Sequence, residues 1–246
     1  MSFVYQTESR RLSEYECHVN QYFDHSVFVS QNEADLFLRL YPQGRNVSII
    51  PNGVDCEYFS PANPQPATRN SQPILLFTGA MDYYPNVDGV NWFCNEILPL
   101  VLNKFSKTQF YVVGGNPHPK IKALTRNDSI KVTGFVEDVR PYYQSADICV
   151  VPLSLARGVQ NKVLEAMAMK KPVVATTKAL EGIKALPREH VLIADTAQEF
   201  FTTICELLEN KALSRRLGVR AREFVLKNHN WSTHMQGLES LLCENR

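Results

Sequence analysis

Much that a chain of 246 residues can carry is missing from this one. No apolar run approaches the ~20 residues that a membrane-spanning helix needs. The opening MSFVYQTESRRLSEYE has no secretory hydrophobic region. Neither charge sign is in excess. The 26 Lys and Arg against 25 Asp and Glu leave a formal +1, which excludes a bulk electrostatic pull toward nucleic acid or a membrane. The six cysteines, Cys17, Cys56, Cys94, Cys149, Cys205 and Cys243, form no close pairs. They read as reduced, mostly buried thiols of a cytoplasmic protein, not as a disulfide frame or a zinc site. The histidines show no metal-ligand spacing, and His229 reads as structural. No internal repeat or low-complexity tract stands out. There is no GxGxxG after the first strand and no Walker lysine motif, so NAD and P-loop readings are poor.

What is present is an alternation of short apolar runs and amphipathic stretches. Residues 3–20 read as a helix, Ser26–Ser30 as a strand, and Ser30 to Glu33 as a capping box that starts a helix ending near Tyr41. Val47–Ile50 is a further strand. The proline-rich Ser60–Pro73 reads as an extended connection. A second series follows, with strands at Ile74–Thr78, Gln109–Val113, Ile130–Val132, Cys149–Leu153, Val173–Thr176 and Val191–Ile193. Its helices are expected at Asp88–Leu102, Lys120–Arg126, Glu137–Ser145, Asn161–Met169, Thr196–Glu209, Lys211–Lys227 and Trp231–Glu244, with Thr196 and Ser232 as caps. Such alternation predicts an α/β, Rossmann-like, doubly wound parallel sheet. Ligands of these sheets bind beyond the carboxyl ends of the strands, and Gly79, Gly114, Gly134 and the 154–161 loop all fall there.

The unit from Val150 to Thr176 concentrates the chemistry. A loop carrying Arg157 and Gly158 enters a helix at Asn161. A helix N-terminus offers free N–H groups and partial positive charge, which suits a phosphate. Arg157 and Lys162 bracket it, Gly158 allows close backbone approach, and Asn161 helps at the helix start. Surface cations are the usual fate of Arg and Lys, yet their place around a glycine at a strand-to-helix turn favours phosphate. Glu165 stands among Leu164, Ala166, Met167 and Ala168, so its carboxylate sits on a buried helix and needs a partner, ribose hydroxyls being one. Phe135 and Val136, after Gly134, either read a base or form a turn with a core phenylalanine. Gly114-Gly115 is either a phosphate approach or a tight turn. Asp82, Tyr83, Tyr84 and Asn86, after Gly79, either contact a sugar or phosphate or merely end the loop and cap the next helix.

On these residues the sequence resembles the nucleotide-sugar-dependent glycosyltransferases of the GT-B fold, in the group called family 4 or group 1. FVSQNEADLF and VSIIPNGVD resemble the end of that family's N-terminal domain and its crossover. ILLFTGAMDYYPNVDGVNWF resembles the first strand, loop and helix of the donor domain, VTGFVEDVRPYYQSADICVVPL the base-binding segment, and VLEAMAMKKPVVAT the donor motif with its ribose-binding glutamate, here Glu165. The family's usual glutamate eight residues earlier is Arg157 here, and Lys162 stands where a proline is common. The usual Arg and Lys after the first donor strand are absent from MDYYPN, so the diphosphate-binding cations are expected in RGVQNK, with Gly79 at the first strand's end. MDYYPN and RGVQNK together resemble the subgroup linked to exosortase-associated exopolysaccharide loci.

The resemblance implies a domain division. Residues 1–55 would be a remnant of the N-terminal acceptor domain, 56–73 a linker, 74–230 the donor-binding domain and 231–246 a C-terminal helix. It implies sugar transfer from a nucleotide-diphosphate sugar to a glycan or glycolipid acceptor. Retention of configuration, no metal and no further cofactor are implied, with any catalytic residue on the N-terminal domain. Cytoplasmic location, peripheral contact with the inner membrane face and self-association through the remnant's apolar faces are expected. Two alternatives stay open, a non-catalytic nucleotide-sugar-binding subunit and a GT-B sugar-nucleotide epimerase.

Overall fold

The structure is a computed structural model and describes residues 3–61 and 72–243. Helix α1 (Phe3–Tyr22) leads to strand β1 (Ser26–Phe28), helix α2 (Gln31–Leu40) and strand β2 (Val47–Ile49). β1 and β2 pair in parallel as a sheet of their own, Ser26 opposite Val47. The Ser30 hydroxyl accepts the Glu33 N–H at 3.3 Å and caps α2. The connection expected at 60–73 lies for the most part outside the described residues.

The rest is one alternating series. It runs β3 (Ile74–Thr78), α3 (Tyr84–Trp92), α4 (Leu98–Lys104), β4 (Gln109–Val113), α5 (Pro119–Ala123), β5 (Ile130–Val132) and α6 (Arg140–Ser145). Then come β6 (Ile148–Val151), α7 (Asn161–Ala168), β7 (Val173–Ala175), β8 (Leu192–Ile193), α8 (Ala197–Glu209), α9 (Lys211–Asn228) and α10 (Trp231–Cys243). The strands form a six-stranded parallel sheet in the order β5-β4-β3-β6-β7-β8. This is the expected α/β doubly wound sheet. Its central strands read as continuous apolar runs because helices cover both faces; all four residues of β6 are buried. The winding reverses between β3 and β6, and the crevice beyond their carboxyl ends is the natural ligand position.

Three local expectations are corrected. The helix expected over Asp88–Leu102 starts earlier, at Tyr84, with Pro85 in its first turn, and is interrupted by a π-turn over Phe93–Ile97. Pro99 lacks the N–H that an α-ladder would use, and just ahead of it the Leu98 N–H reaches back to Phe93 O. The helix expected from Glu137 begins at Arg140, whose N–H is taken by Asp138 Oδ1 at 2.9 Å. Asn230, not Ser232, caps α10, its Oδ1 accepting the Ser232 N–H at 3.2 Å. Thr196 does form the full capping box with Glu199.

Arg222 on α9 holds the back of the domain together. Its guanidinium donates to the carbonyls of Phe59 at 3.0 Å, Cys56 at 3.4 Å and Ala168, and to Ser60 Oγ. One side chain thus ties α9 to the end of α7 and to the 56–60 segment. Arg222→Met keeps the apolar stem and leaves the carbonyls without their donor. We expect a loss of about 2–3 kcal/mol, roughly 5–10 °C in melting temperature for a chain of this size. A change within about 1 °C on calorimetry would remove Arg222 from this role. Among the described residues no helix is long and apolar enough to cross a membrane.

Candidate functional site

Three strand ends are stitched side by side. Gly79 N–H donates to Val113 O at 3.0 Å, and Gly114 N–H to Gly134 O at 3.2 Å. Beyond them opens a cleft of ≈ 560 Å³, at the reversal of winding. Its lining brings together Gly79, Asn86, Phe135, Val136, Asn161, Lys162 and Glu165, all of them candidates from the sequence. Phe135 is 79% exposed, so it is a rim residue, not a core phenylalanine.

Helix α7 enters the cleft without a side-chain cap; Gln160 precedes it at φ −83°, ψ 99° and makes no capping bond. Its first-turn N–H groups therefore lack side-chain acceptors and suit an anion. Lys162 lies one residue inside the helix. Its Nζ donates to Asn86 Oδ1 at 2.6 Å and sits 4.7 Å from the centre of the Phe77 ring. Burial lowers the ammonium's pKa from its ordinary 10.5 to about 8, with the Glu165 charge opposing. Asn86 is itself buried, and its Nδ2 is fixed on Ala80 O at 2.8 Å. It is thus the holder of Lys162 rather than a free arm of the loop.

Glu165 is one turn further along α7, and burial pushes its carboxyl above the ordinary value, with the Tyr143 hydrogen bond and the Lys162 charge opposing. The Tyr143 hydroxyl donates to Glu165 Oε2 at 2.9 Å and lies 2.8 Å from Thr78 Oγ1. Burial, then the Glu165 charge, pushes the Tyr143 phenol well up, so it stays a neutral donor. A chain Thr78–Tyr143–Glu165 therefore orients the carboxylate at the mouth of β3. Tyr143 and Thr78 were not among the sequence candidates. The available signal was a tyrosine on an amphipathic helix, which reads as ordinary core packing.

Not every candidate is brought to the cleft. Arg157 is exposed and outside its lining, and its carbonyl accepts from Gln160 Nε2 at 3.2 Å. Gly158 has φ +64°, and a Cβ there would stand 3.4 Å from Glu33 and 3.6 Å from Val29. Its service is to the loop's left-handed turn beside α2. Asp82 lines a neighbouring cavity, and Tyr83 is exposed just before α3.

A crevice at the winding reversal, with a half-buried ammonium and a half-buried carboxylate at a helix mouth, stands where doubly wound α/β sheets take their ligands. A profile of the family described as "Glycosyl transferases group 1" matches residues 72–210, more than half of the chain, and the protein belongs to that family. The "uncharacterized 44.6 kDa protein in cps region" of Klebsiella pneumoniae is 23% identical over 164 residues, 63% of this chain and 42% of its own length. Sucrose-phosphate synthase of Thermosynechococcus elongatus superposes with a TM-score of 0.76 at 23% identity, over 94% of this chain and 61% of that one. Anabaena HepE, solved in complex with UDP and glucose, superposes with a TM-score of 0.75 at 15% identity, over 91% of this chain and 64% of that one. These structural neighbours are GT-B glycosyltransferases and share its fold. The chain spans less than two thirds of the length of each of these proteins.

Proposed function

We propose that the cleft binds the nucleoside diphosphate of a sugar donor and that the chain is the donor-binding half of a hexosyl-type glycosyltransferase. The observation that carries this is the pairing of Lys162 and Glu165 at the uncapped mouth of α7, inside a cleft walled by strand-end glycines. The diphosphate would meet Lys162 Nζ, the first N–H groups of α7 and the backbone at Gly79. The ribose diol would be held by Glu165, and the base by the backbone at Val136 and the face of Phe135. Anabaena HepE was solved with UDP and glucose, which supports a uridine nucleotide as the first to try. Asn161, already in the lining, would meet the diphosphate at the helix start, and exposed Arg157, with Gly158, would join the site when the loop before α7 meets the ligand.

In the reaction the bond from the sugar's anomeric carbon to the diphosphate oxygen breaks, and the acceptor oxygen bonds to that carbon and loses its proton. Lys162 and the α7 amides stabilise the charge that gathers on the departing diphosphate. By the family resemblance the transfer retains configuration, needs no metal and serves polysaccharide synthesis, with the exosortase-associated subgroup as the finer placement. Apolar side chains exposed on α1, β1 and α2, such as Leu12, Val27 and Leu40, suit self-association. Thermal-shift measurements should show stabilisation by UDP or another nucleoside diphosphate and much less by the nucleoside. No shift with any nucleotide would overturn the reading.

The lowered pKa of Lys162 gives this site a pH signature. In the free protein the folded state binds this proton less well than the unfolded chain, so this residue's contribution to stability rises with pH between about 8 and 10.5. A bound diphosphate favours the ammonium, so binding takes up a proton above pH 8. We expect affinity for UDP to be flat below pH ~7.5 and to fall toward tenfold per unit above ~8. Titration calorimetry in buffers of different ionisation heat reads the proton uptake. Lys162→Met should abolish it and weaken UDP more than uridine; equal weakening of both would sink the assignment.

A further inference from the structure

Beside the donor cleft is a second cavity, of ≈ 470 Å³, that shares none of its lining residues. Its size falls within the range of small-molecule sites. Asp88, Asn91 and Asn95 enter it from a single face of α3 and its π-turn, at successive helical spacings. Such π-turns are rare and gather at functional sites. Asp82 enters from the turn after β3, Tyr84 from the start of α3, and His118 from the cap of α5. The 80–86 stretch, from the turn that carries Asp82 into the first residues of α3, also carries Ala80 and Asn86, which line the donor cleft, so the two cavities share a wall.

The polar groups here are partly fixed and partly free. Asp88 Oδ2 accepts Ser154 Oγ at 2.7 Å, Asp82 Oδ2 accepts Asn116 Nδ2 at 3.3 Å, and Asn91 Nδ2 donates to Val87 O at 2.7 Å. Asp82 and Asp88 each keep Oδ1, and Asn91 its single amide oxygen, without a partner among the described residues. His118 Nδ1 is used on the Lys120 N–H at 3.2 Å, which leaves Nε2, and the Asn95 amide has no partner among the described residues. Tyr84 is 65% exposed beside them and offers an apolar ring face.

The composition selects among ligand classes. Two carboxylates against the one ammonium of Lys120 disfavour a phosphate or other anion. Among the described residues no group of three or more His, Cys, Asp or Glu is placed to hold a metal ion. Val87 alone is too little for an apolar ligand. Planar carboxylates and amides that hold pairs of hydroxyls, next to an aromatic face for C–H contacts, match a neutral sugar ring.

We propose that this cavity is a subsite for a neutral sugar unit of the glycan on which the enzyme works, away from the reacting hydroxyl. It rests on the glycosyl-transfer reading, and its occupant would lie across the shared 80–86 wall from the donor. The test is saturation-transfer NMR on the whole chain with maltotetraose, cellotetraose and chitotetraose as probes, tetragalacturonate as the anionic control, and UDP titrated separately. At least one neutral tetrasaccharide should bind in the millimolar range and tetragalacturonate should not. Tyr84→Ala and Asn95→Ala should each weaken that binding fivefold or more, while Asn95→Ala leaves UDP affinity within twofold. UDP binding with no neutral tetrasaccharide bound, or equal binding by the anionic control, would overturn the subsite and leave the donor cleft standing. Sugar binding that Tyr84→Ala and Asn95→Ala do not touch would overturn it as well. Sugar binding without UDP binding would instead remove the donor reading on which it rests.

Discussion

Glu165→Ala is expected to weaken binding of UDP or the preferred nucleoside diphosphate roughly a hundredfold or more while the free protein melts no lower than the parent. Hydrogen bonds to a charged group are each worth about 1.5–3 kcal/mol, and a carboxylate facing a ribose diol makes two. The stability half has a definite sign. Burial raises the carboxyl's pKa above the ordinary 4.5. The folded state therefore binds this proton better than the unfolded chain, and stability falls as pH rises from 4.5 to the folded value. Once ionised, Glu165 thus weighs against folding. Its removal does not orphan the Tyr143 hydroxyl, which keeps Thr78 Oγ1 at 2.8 Å. Glu165→Gln should lie between parent and alanine in affinity, because the amide still meets a hydroxyl without the charge. The check is a pair of measurements, the melting point of the free protein and the shift caused by saturating UDP. Unchanged affinity would remove Glu165 from the site, and a large fall in the free protein's melting point would mark it as structural.

Lys162 and Glu165 share this pattern, and it explains how much of the site the sequence revealed. Both are titratable groups held partly out of water, where neither protonation preference favours the folded chain. A charged residue among Leu164, Ala166 and Met167 is visible in the sequence as a conflict with the apolar pattern, so Glu165 stood out. Its partner did not. Tyr143 is distant in sequence and satisfies the pattern of α6, so nothing local distinguishes a core tyrosine from one aimed at a carboxylate. Asn86 was legible as a loop polar residue and only the fold shows its side chain committed to Lys162 and Ala80. Arg157 shows what loop geometry withholds from the sequence. Its place beside a glycine at a strand-to-helix turn makes it a phosphate candidate, and the loop it sits on, turned by Gly158 beside α2, holds it exposed outside the cleft lining in the free protein. Strands β3, β4 and β5 have the bounds read from their apolar runs, because a parallel sheet covered on both faces admits little else. The helix after β3 differed because the i→i+5 slip ahead of Pro99 is a backbone response that hydrophobic spacing does not encode.

The largest loss of folded protein is expected from Gly114→Ala, at a position the sequence left balanced between a phosphate approach and a turn. Gly114 has φ +151°, and a Cβ built there would lie 1.7 Å from Gly79 O. No side chain can yield, since the obstacle is backbone. That backbone cannot move freely either, because Gly79 N–H is bonded to Val113 O and Gly114 N–H to Gly134 O. Relief requires parting the ends of β3 and β4, neighbouring strands whose ends wall the cleft. We expect a loss of about 4 kcal/mol or more, large against the roughly 5–15 kcal/mol by which domains are stable, and roughly 10 °C or more in melting temperature. Two neighbours supply the scale. At Gly115 a Cβ would meet only Phe135, at 3.8 Å, so Gly115→Ala should stay within about 1–2 °C of the parent. At Gly134 nothing lies within 4 Å but φ is +72°, so Gly134→Ala should lose about 1 kcal/mol from backbone strain alone. The order Gly115, Gly134, Gly114 of increasing damage, read by calorimetry or by soluble yield, separates steric crowding from conformational preference. Gly114→Ala melting with Gly115→Ala would mean that the strand ends part easily, and the cleft would then be a soft wall instead of a preformed cradle for a diphosphate.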